Sequence, residues 1–175
     1  MALSLGDPIP DFSLPAAGGG TYDAIDGGTL ATVVVFTCNH CPYALAWHDR
    51  IAQVARDYAD RGVRVLAVNS NDSDRYPRDS FGAMRERVAA EEWPMPYLHD
   101  ASQEVARAFG AKTTPDVFVF DGQGALRYRG APDGDYEDPS QNARWLRAAL
   151  DAVLAGGEPD RAETTPVGCS IKWKG

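Results

Sequence analysis

Two cysteines three positions apart, in the run Cys38-Asn39-His40-Cys41-Pro42, are the residues of this chain whose types and spacing best suit chemistry. A thiolate attacks a disulfide sulfur, and a second thiol at this spacing closes a small ring that expels the product. The pair falls between an apolar run, Ala31 to Phe36, and a stretch with helical periodicity. A helix N-terminus carries partial positive charge and unpaired N–H groups, both of which favour a thiolate. In that setting Cys38 reads as the exposed attacking thiol and Cys41, one turn deeper, as the resolving thiol. Asn39 and His40 lie between them and tune Cys38, His40 by favouring the thiolate when protonated. Pro42 fits a first helical turn, where its missing N–H has no helical partner to lose.

The same thiols could be inert or belong to a zinc site. A Cys₄ site needs a second pair, and only Cys169 remains, so the set would be Cys38, Cys41, Cys169 and one of His40, His48 or His99. The strand-to-helix position favours redox work. A second constellation is Thr113-Thr114-Pro115, before the apolar run Val117 to Phe120. Proline cannot donate to a ladder. Taken alone, these residues read as an ordinary trans proline at the start of a strand. The alternative is a cis peptide after Thr114, which exposes that residue's backbone to an incoming peptide. Cys169 stands in Gly168-Cys169-Ser170-Ile171-Lys172-Trp173. It reads first as a thiol pinning the tail, with Ile171 and Trp173 filling a surface groove; a third redox cysteine folded back on the pair is the alternative.

The elements that must position these groups alternate. Strands are expected at 31–36, 63–69, 97–99, 117–121 and 126–129, the last two joined by a turn at 122–124. Helices are expected from the dithiol to Gly62, over 79–92, from a Ser102 N-cap to Gly110, and over 140–154. Strand–helix–strand followed by helix–hairpin–helix predicts an α/β domain with a mixed sheet covered on both faces. Residues 156–175 read as an extended C-terminal tail of a single domain.

With 175 residues, 44% apolar and 24% charged, the chain can bury a full core. Its formal charge of −8 disfavours nucleic acid and anionic membrane surfaces as partners. No apolar run reaches membrane-spanning length, and the first residues lack a basic and apolar leader pattern. A reducing cytoplasm is the expected compartment, with the cysteines free, metal-bound or redox-active.

Asp11-Phe12-Ser13-Leu14, a strand, Cys38-Asn39-His40-Cys41-Pro42, and Thr114-Pro115 before another strand together resemble the thioredoxin fold. More narrowly, the chain resembles the peroxiredoxin-related AhpC/TSA-type thioredoxin-like proteins, including the Gly168-Cys169-Ser170-Ile171-Lys172-Trp173 ending. The resemblance implies a central sheet flanked by helices, Cys38 as nucleophile, Cys41 as resolving cysteine, and a cis Pro115 whose neighbour Thr114 orients the substrate. It implies no organic cofactor or metal, and partners that are disulfide-containing proteins or small-molecule thiols together with a reductant. A histidine before the second cysteine is similar to the oxidising members of the fold and implies a potential above thioredoxin's. There are departures too. The peroxiredoxin threonine three residues before the reactive cysteine has no counterpart, because Cys38 and Val35 occupy those positions for Cys41 and Cys38. Thr32 and Ala44 replace the acids that thioredoxin and its TlpA-like relatives use to accept the second thiol's proton. A peroxidase working through Cys38 or Cys41 is the rival reading, and a zinc-binding or adaptor form is a further one.

The remaining candidates have plainer roles. His48, His99, Trp47, Trp93 and Trp145 read as surface or packing residues, with Trp93-Pro94-Met95-Pro96 as a candidate groove wall. Arg85 to Arg87 and Glu91-Glu92 read as a solvated helix face. The loop from Asn69 to Arg78 follows a strand at the carboxyl edge of the sheet, where open α/β sheets place ligands.

Overall fold

A computed structural model describes residues 3–175. In chain order the elements are β1 (Ser13–Pro15), β2 (Thr21–Asp23), β3 (Ala31–Phe36), α1 (Pro42–Tyr58), β4 (Val63–Asn69), α2 (Phe81–Ala90), β5 (Tyr97–His99), α3 (Glu104–Phe109), β6 (Thr113–Thr114), β7 (Asp116–Asp121), β8 (Leu126–Gly130), α4 (Arg144–Leu154) and β9 (Cys169–Ser170). The main sheet runs β5-β4-β3-β7-β8. β3 lies parallel to β4 and antiparallel to β7, so the sheet is mixed.

All six residues of β3 are buried, as a run of β-branched and aromatic residues in a central strand requires. Successive side chains point to opposite faces. Val33 and Val35 meet Trp47, Ile51, Leu146 and Leu150 on one face. Val34 and Phe36 meet Leu66, Phe109, Phe118 and Phe120 on the other. There Phe109 sits edge-on to both Phe36 and Phe118, each at 5.2 Å between ring centroids. Removing a ring from such a core costs about 3–5 kcal/mol.

Several boundaries differ from the sequence expectation for reasons of capping. Helix α1 begins at Pro42, with Cys41 as its N-cap in extended backbone, so the dithiol precedes the first turn instead of lying inside it. Helix α4 begins at Arg144, not near Ser140, because Asn142 and Ala143 take left-handed backbone. The Ala143 amide donates to Asp133 Oδ2 at 2.9 Å, which fixes that turn. Ser102 is not the effective cap of α3. Buried Asp100 accepts from the amides of Val105 and Ala106, at 3.4 and 3.0 Å. The 156–175 segment follows α4. It runs beside β8 through the Arg129–Ala162 and Arg129–Thr164 backbone bonds, then pairs as β9 with β6. Among the described residues no helix is long and apolar enough to cross a membrane.

Candidate active site

β3 delivers the chain to the dithiol, and the Thr37 amide donates to Val68 O at 2.8 Å to end the parallel ladder. Cys38 and Cys41 then face β6 and the Thr114–Pro115 peptide, which is cis. The trans reading that the local residues favoured is therefore corrected, and the expectation from the resemblance is met. Cys41 Sγ lies 3.1 Å from Thr114 O, and Cys38 Sγ lies 3.4 Å from Thr114 Oγ1. Cys169 packs against the cluster formed by Cys38, Cys41 and Ala44. Cys38 was expected to be exposed, yet it is 1% exposed, the same as Cys41. The Thr114 hydroxyl lies against its sulfur.

The two thiols titrate as a pair holding one proton. Donation from Cys38, with further donation from the Cys169 thiol and the Ala44 amide, lowers Cys41 to about 4. The same Cys38–Cys41 hydrogen bond, together with burial, raises Cys38. Three contacts pull the other way. A carbonyl oxygen only accepts, so Thr114 O favours a protonated Cys41. The Thr114 hydroxyl and the His40 amide donate to Cys38 and favour charge there. The thiolate of the reduced pair still sits on Cys41, and Cys38 keeps the proton.

Behind the pair lies a polar cluster that composition and spacing did not single out. Asp79 is fully buried. Its Oδ1 accepts from the Asn39 amide at 2.7 Å and Asn69 Nδ2 at 3.0 Å. Its Oδ2 accepts from Asn71 Nδ2 at 3.0 Å. His40 Nδ1 approaches Oδ2 to 2.6 Å as an ion contact, not an aligned hydrogen bond. The His40 ring stacks on Tyr76, 5.7 Å away with the planes 8° apart. Asn39 Oδ1 accepts from Tyr97 Oη at 2.8 Å and Arg87 Nη1 at 3.1 Å, so the residue between the cysteines is held from two sides. Arg87 Nη1 also reaches Cys38 O at 3.3 Å.

Arg87 therefore belongs to the site, and the reading of it as a solvated helix face is corrected. The sequence signal for this cluster was the polar run Asn69-Ser70-Asn71-Asp72 at the end of a buried strand. That run needs partners, because buried polar groups are costly unless hydrogen-bonded. Trp93 stacks on Tyr97 at 4.3 Å, beneath Arg87, so of the expected Trp93-Pro94-Met95-Pro96 wall it is Trp93 that reaches the residues holding Asn39, while Met95 is buried in the core. His48 packs on Trp93 and His99 on Phe81, as packing residues do.

Among the described residues, the donors that converge as metal ligands are Cys38, His40 and Asp79, with their atoms within 4.8 Å of one another. That set differs from the Cys38, Cys41, Cys169 and histidine set the spacing suggested. Both Asp79 oxygens already accept hydrogen bonds.

Residues 5–129 match the AhpC/TSA family. A hypothetical protein from Sinorhizobium meliloti has a solved structure that superposes with a TM-score of 0.90 at 36% identity, covering 99% of this chain and 97% of that one. A putative thiol:disulfide interchange protein DsbE from Chlorobium tepidum superposes at 0.70 with 23% identity, over 87% of this chain and 99% of that one. The fold is thus thioredoxin-like. The thiol:disulfide interchange protein DsbE of Yersinia pestis is 29% identical over 141 residues, 74% of this chain but only 65% of that protein. From strand β3 and its dithiol to the cis proline before β7, the site lies within the matched span, and the chain belongs to the AhpC/TSA family.

Proposed function

We propose that this protein is a thiol–disulfide oxidoreductase exchanging electrons through Cys38 and Cys41 with protein or small-molecule disulfides. One observation carries the reading: both thiols lie against the backbone and hydroxyl of Thr114, at 3.1 and 3.4 Å, beside the cis Pro115. The likeness to thiol:disulfide interchange proteins supports a thioredoxin-like redox enzyme in general.

In the forward direction Cys38 passes its proton to the Cys41 thiolate and, with the Thr114 hydroxyl and the His40 amide donating to its sulfur, attacks a substrate disulfide. A Cys38–substrate bond forms, the substrate S–S bond breaks, and the leaving thiolate takes a proton. Cys41 then attacks the Cys38 sulfur, giving the Cys38–Cys41 disulfide and a second substrate thiol. Two electrons pass to the substrate, and an external thiol reductant restores the dithiol. Thr114 orients the partner's backbone when β9, which pairs with it in this structure, gives way, while Asn39 and His40, fixed by Arg87, Tyr97 and Asp79, hold the loop between the sulfurs.

The test is disulfide reduction by purified variants. Cys38→Ser is expected to abolish turnover, and Cys41→Ser to trap mixed disulfides on Cys38. Full activity in Cys38→Ser would remove Cys38 as nucleophile. The family match also favours a check for peroxidase work, and rapid peroxide consumption without disulfide reduction would replace the reading.

A further inference from the structure

The edge of β6 beside the cis proline is occupied by this chain's own tail. β9 pairs antiparallel with β6, with Cys169 opposite Thr114, the residue that both Cys38 and Cys41 touch. We propose that Cys169 is a third redox cysteine, and that the tail acts as a tethered substrate accepting the disulfide from the Cys38–Cys41 pair. The inference rests on the dithiol reading above and extends it to a further reacting residue.

Three observations carry it. Cys169 packs against the cluster of Cys38, Cys41 and Ala44, and it helps to lower Cys41. The pairing leaves no room for a side chain at the preceding residue: a Cβ on Gly168 would come within 2.2 Å of Thr114 O. Glycine is what permits the backbone approach that sets Cys169 over the site. Finally, the segment beyond is clamped in register. Ile171 is 3% exposed in the core, and its amide donates to Lys112 O at 3.0 Å. Lys172 O accepts from the Asp72 amide and Gln103 Nε2, both at 2.8 Å, and the Lys172 amide reaches Asn71 Oδ1 at 2.9 Å. The expected groove filling thus falls to Ile171, whereas Trp173 stays 37% exposed under Arg107. Cys169 is only partly buried, so a clamp alone does not account for a thiol placed there.

The step balances without an outside reagent. Starting from the Cys38–Cys41 disulfide, the Cys169 thiolate attacks the Cys41 sulfur. The Cys41–Cys169 bond forms, the Cys38–Cys41 bond breaks, and the proton lost by Cys169 ends on Cys38. Nothing is oxidised or reduced overall; the disulfide moves onto the tail and Cys38 becomes a free thiol. Burial and the neighbouring Cys41 charge raise Cys169 to about 11 in the reduced protein. Once Cys41 is bonded to Cys38 that charge is gone, which eases ionisation of Cys169 at the moment it must attack.

The experiment equilibrates the full chain, Cys38→Ser, Cys169→Ser and Gly168→Ala across ratios of oxidised to reduced glutathione, then alkylates and maps each disulfide by mass spectrometry. Wild type is expected to hold both isomers in a proportion independent of the glutathione ratio, because the exchange between them moves no electrons. Cys38→Ser is expected to form Cys41–Cys169. Gly168→Ala is expected to cut the Cys41–Cys169 fraction about tenfold by opening the β6–β9 pairing. If Cys38→Ser gives only glutathione adducts on Cys41, or Gly168→Ala leaves the fraction unchanged, the proposal is overturned. Cys169→Ser reads the dithiol separately: a reversible Cys38–Cys41 bond there sustains the oxidoreductase reading, and its absence ends that reading whatever the tail does.

Discussion

Two fully buried carboxylates, Asp133 against α1 and Asp79 against the loop between the cysteines, are stabilised in opposite ways. Asp133 faces a full counter-charge. Arg50 Nη1 reaches its oxygens at 3.0 and 2.8 Å, Trp47 Nε1 donates at 2.9 Å, and the Ala143 amide completes the shell. Arg50 also donates to the carbonyls of Asp135 and Tyr136. That cluster is electrically closed, and it ties α1 to the turn that starts α4. Asp79 has no arginine. Its donors are an amide N–H and two asparagines, with the partly exposed His40 in contact at 2.6 Å. The first arrangement fixes a fold. The second leaves a negative charge beside a reactive sulfur, where it acts on ionisation, and the Asp79 charge indeed contributes to raising Cys38.

The largest effect should come from breaking the closed cluster. Asp133→Ala leaves Arg50 buried and unpaired, and should cost about 3–5 kcal/mol of stability in urea unfolding. A loss below about 1 kcal/mol would mean that the cluster is not closed in the sense argued.

An intermediate case sharpens the contrast. Asp116, beside the cis proline, is fully buried, with Arg129 at 3.4 Å on one oxygen and no partner on the other. Burial lifts it from 3.8 to about 6. A folded value above the unfolded one means that the folded state holds the proton more tightly, so stability falls as pH rises from about 4 to about 6. This group alone should contribute a decline of about 3 kcal/mol across that window. Asp116→Asn should flatten that part of the curve; an unchanged slope would show that Arg129 compensates the charge fully.

The smallest stability effect is expected at the open cluster. Asp79→Asn keeps an acceptor for Asn39 and Asn69, and should cost about 1–3 kcal/mol. Its more telling consequence is chemical. With the carboxylate gone, Cys38 should ionise at lower pH, visible as an acid-ward shift in its alkylation profile. If that profile stays put while stability collapses, Asp79 is a second closed cluster and the comparison fails.

Much of the frame was legible in the chain. The runs Ala31–Phe36 and Val63–Asn69 become β3 and β4 over the residues expected, because a continuous β-branched stretch has few alternatives to a strand buried on both faces. The Cys38–Cys41 spacing, Pro42 at the helix start and the strand after Pro115 were equally local. The capping errors at α3 and α4 arose because Asp100 and Asp133 reach amides five to ten residues ahead, beyond the two or three residues that an ordinary side-chain cap spans.

What the sequence determined by itself was the α/β order and the dithiol, since periodicity and residue spacing act over a few neighbouring positions. What only the tertiary structure decided was the company those thiols keep. Asp79, Arg87 and Tyr97 converge on Asn39 and His40 from α2, β5 and the turn before α2. Cys169 arrives at Thr114 from the far end of the chain. These contacts are set by sheet order and strand pairing, which bring together residues that share no local pattern.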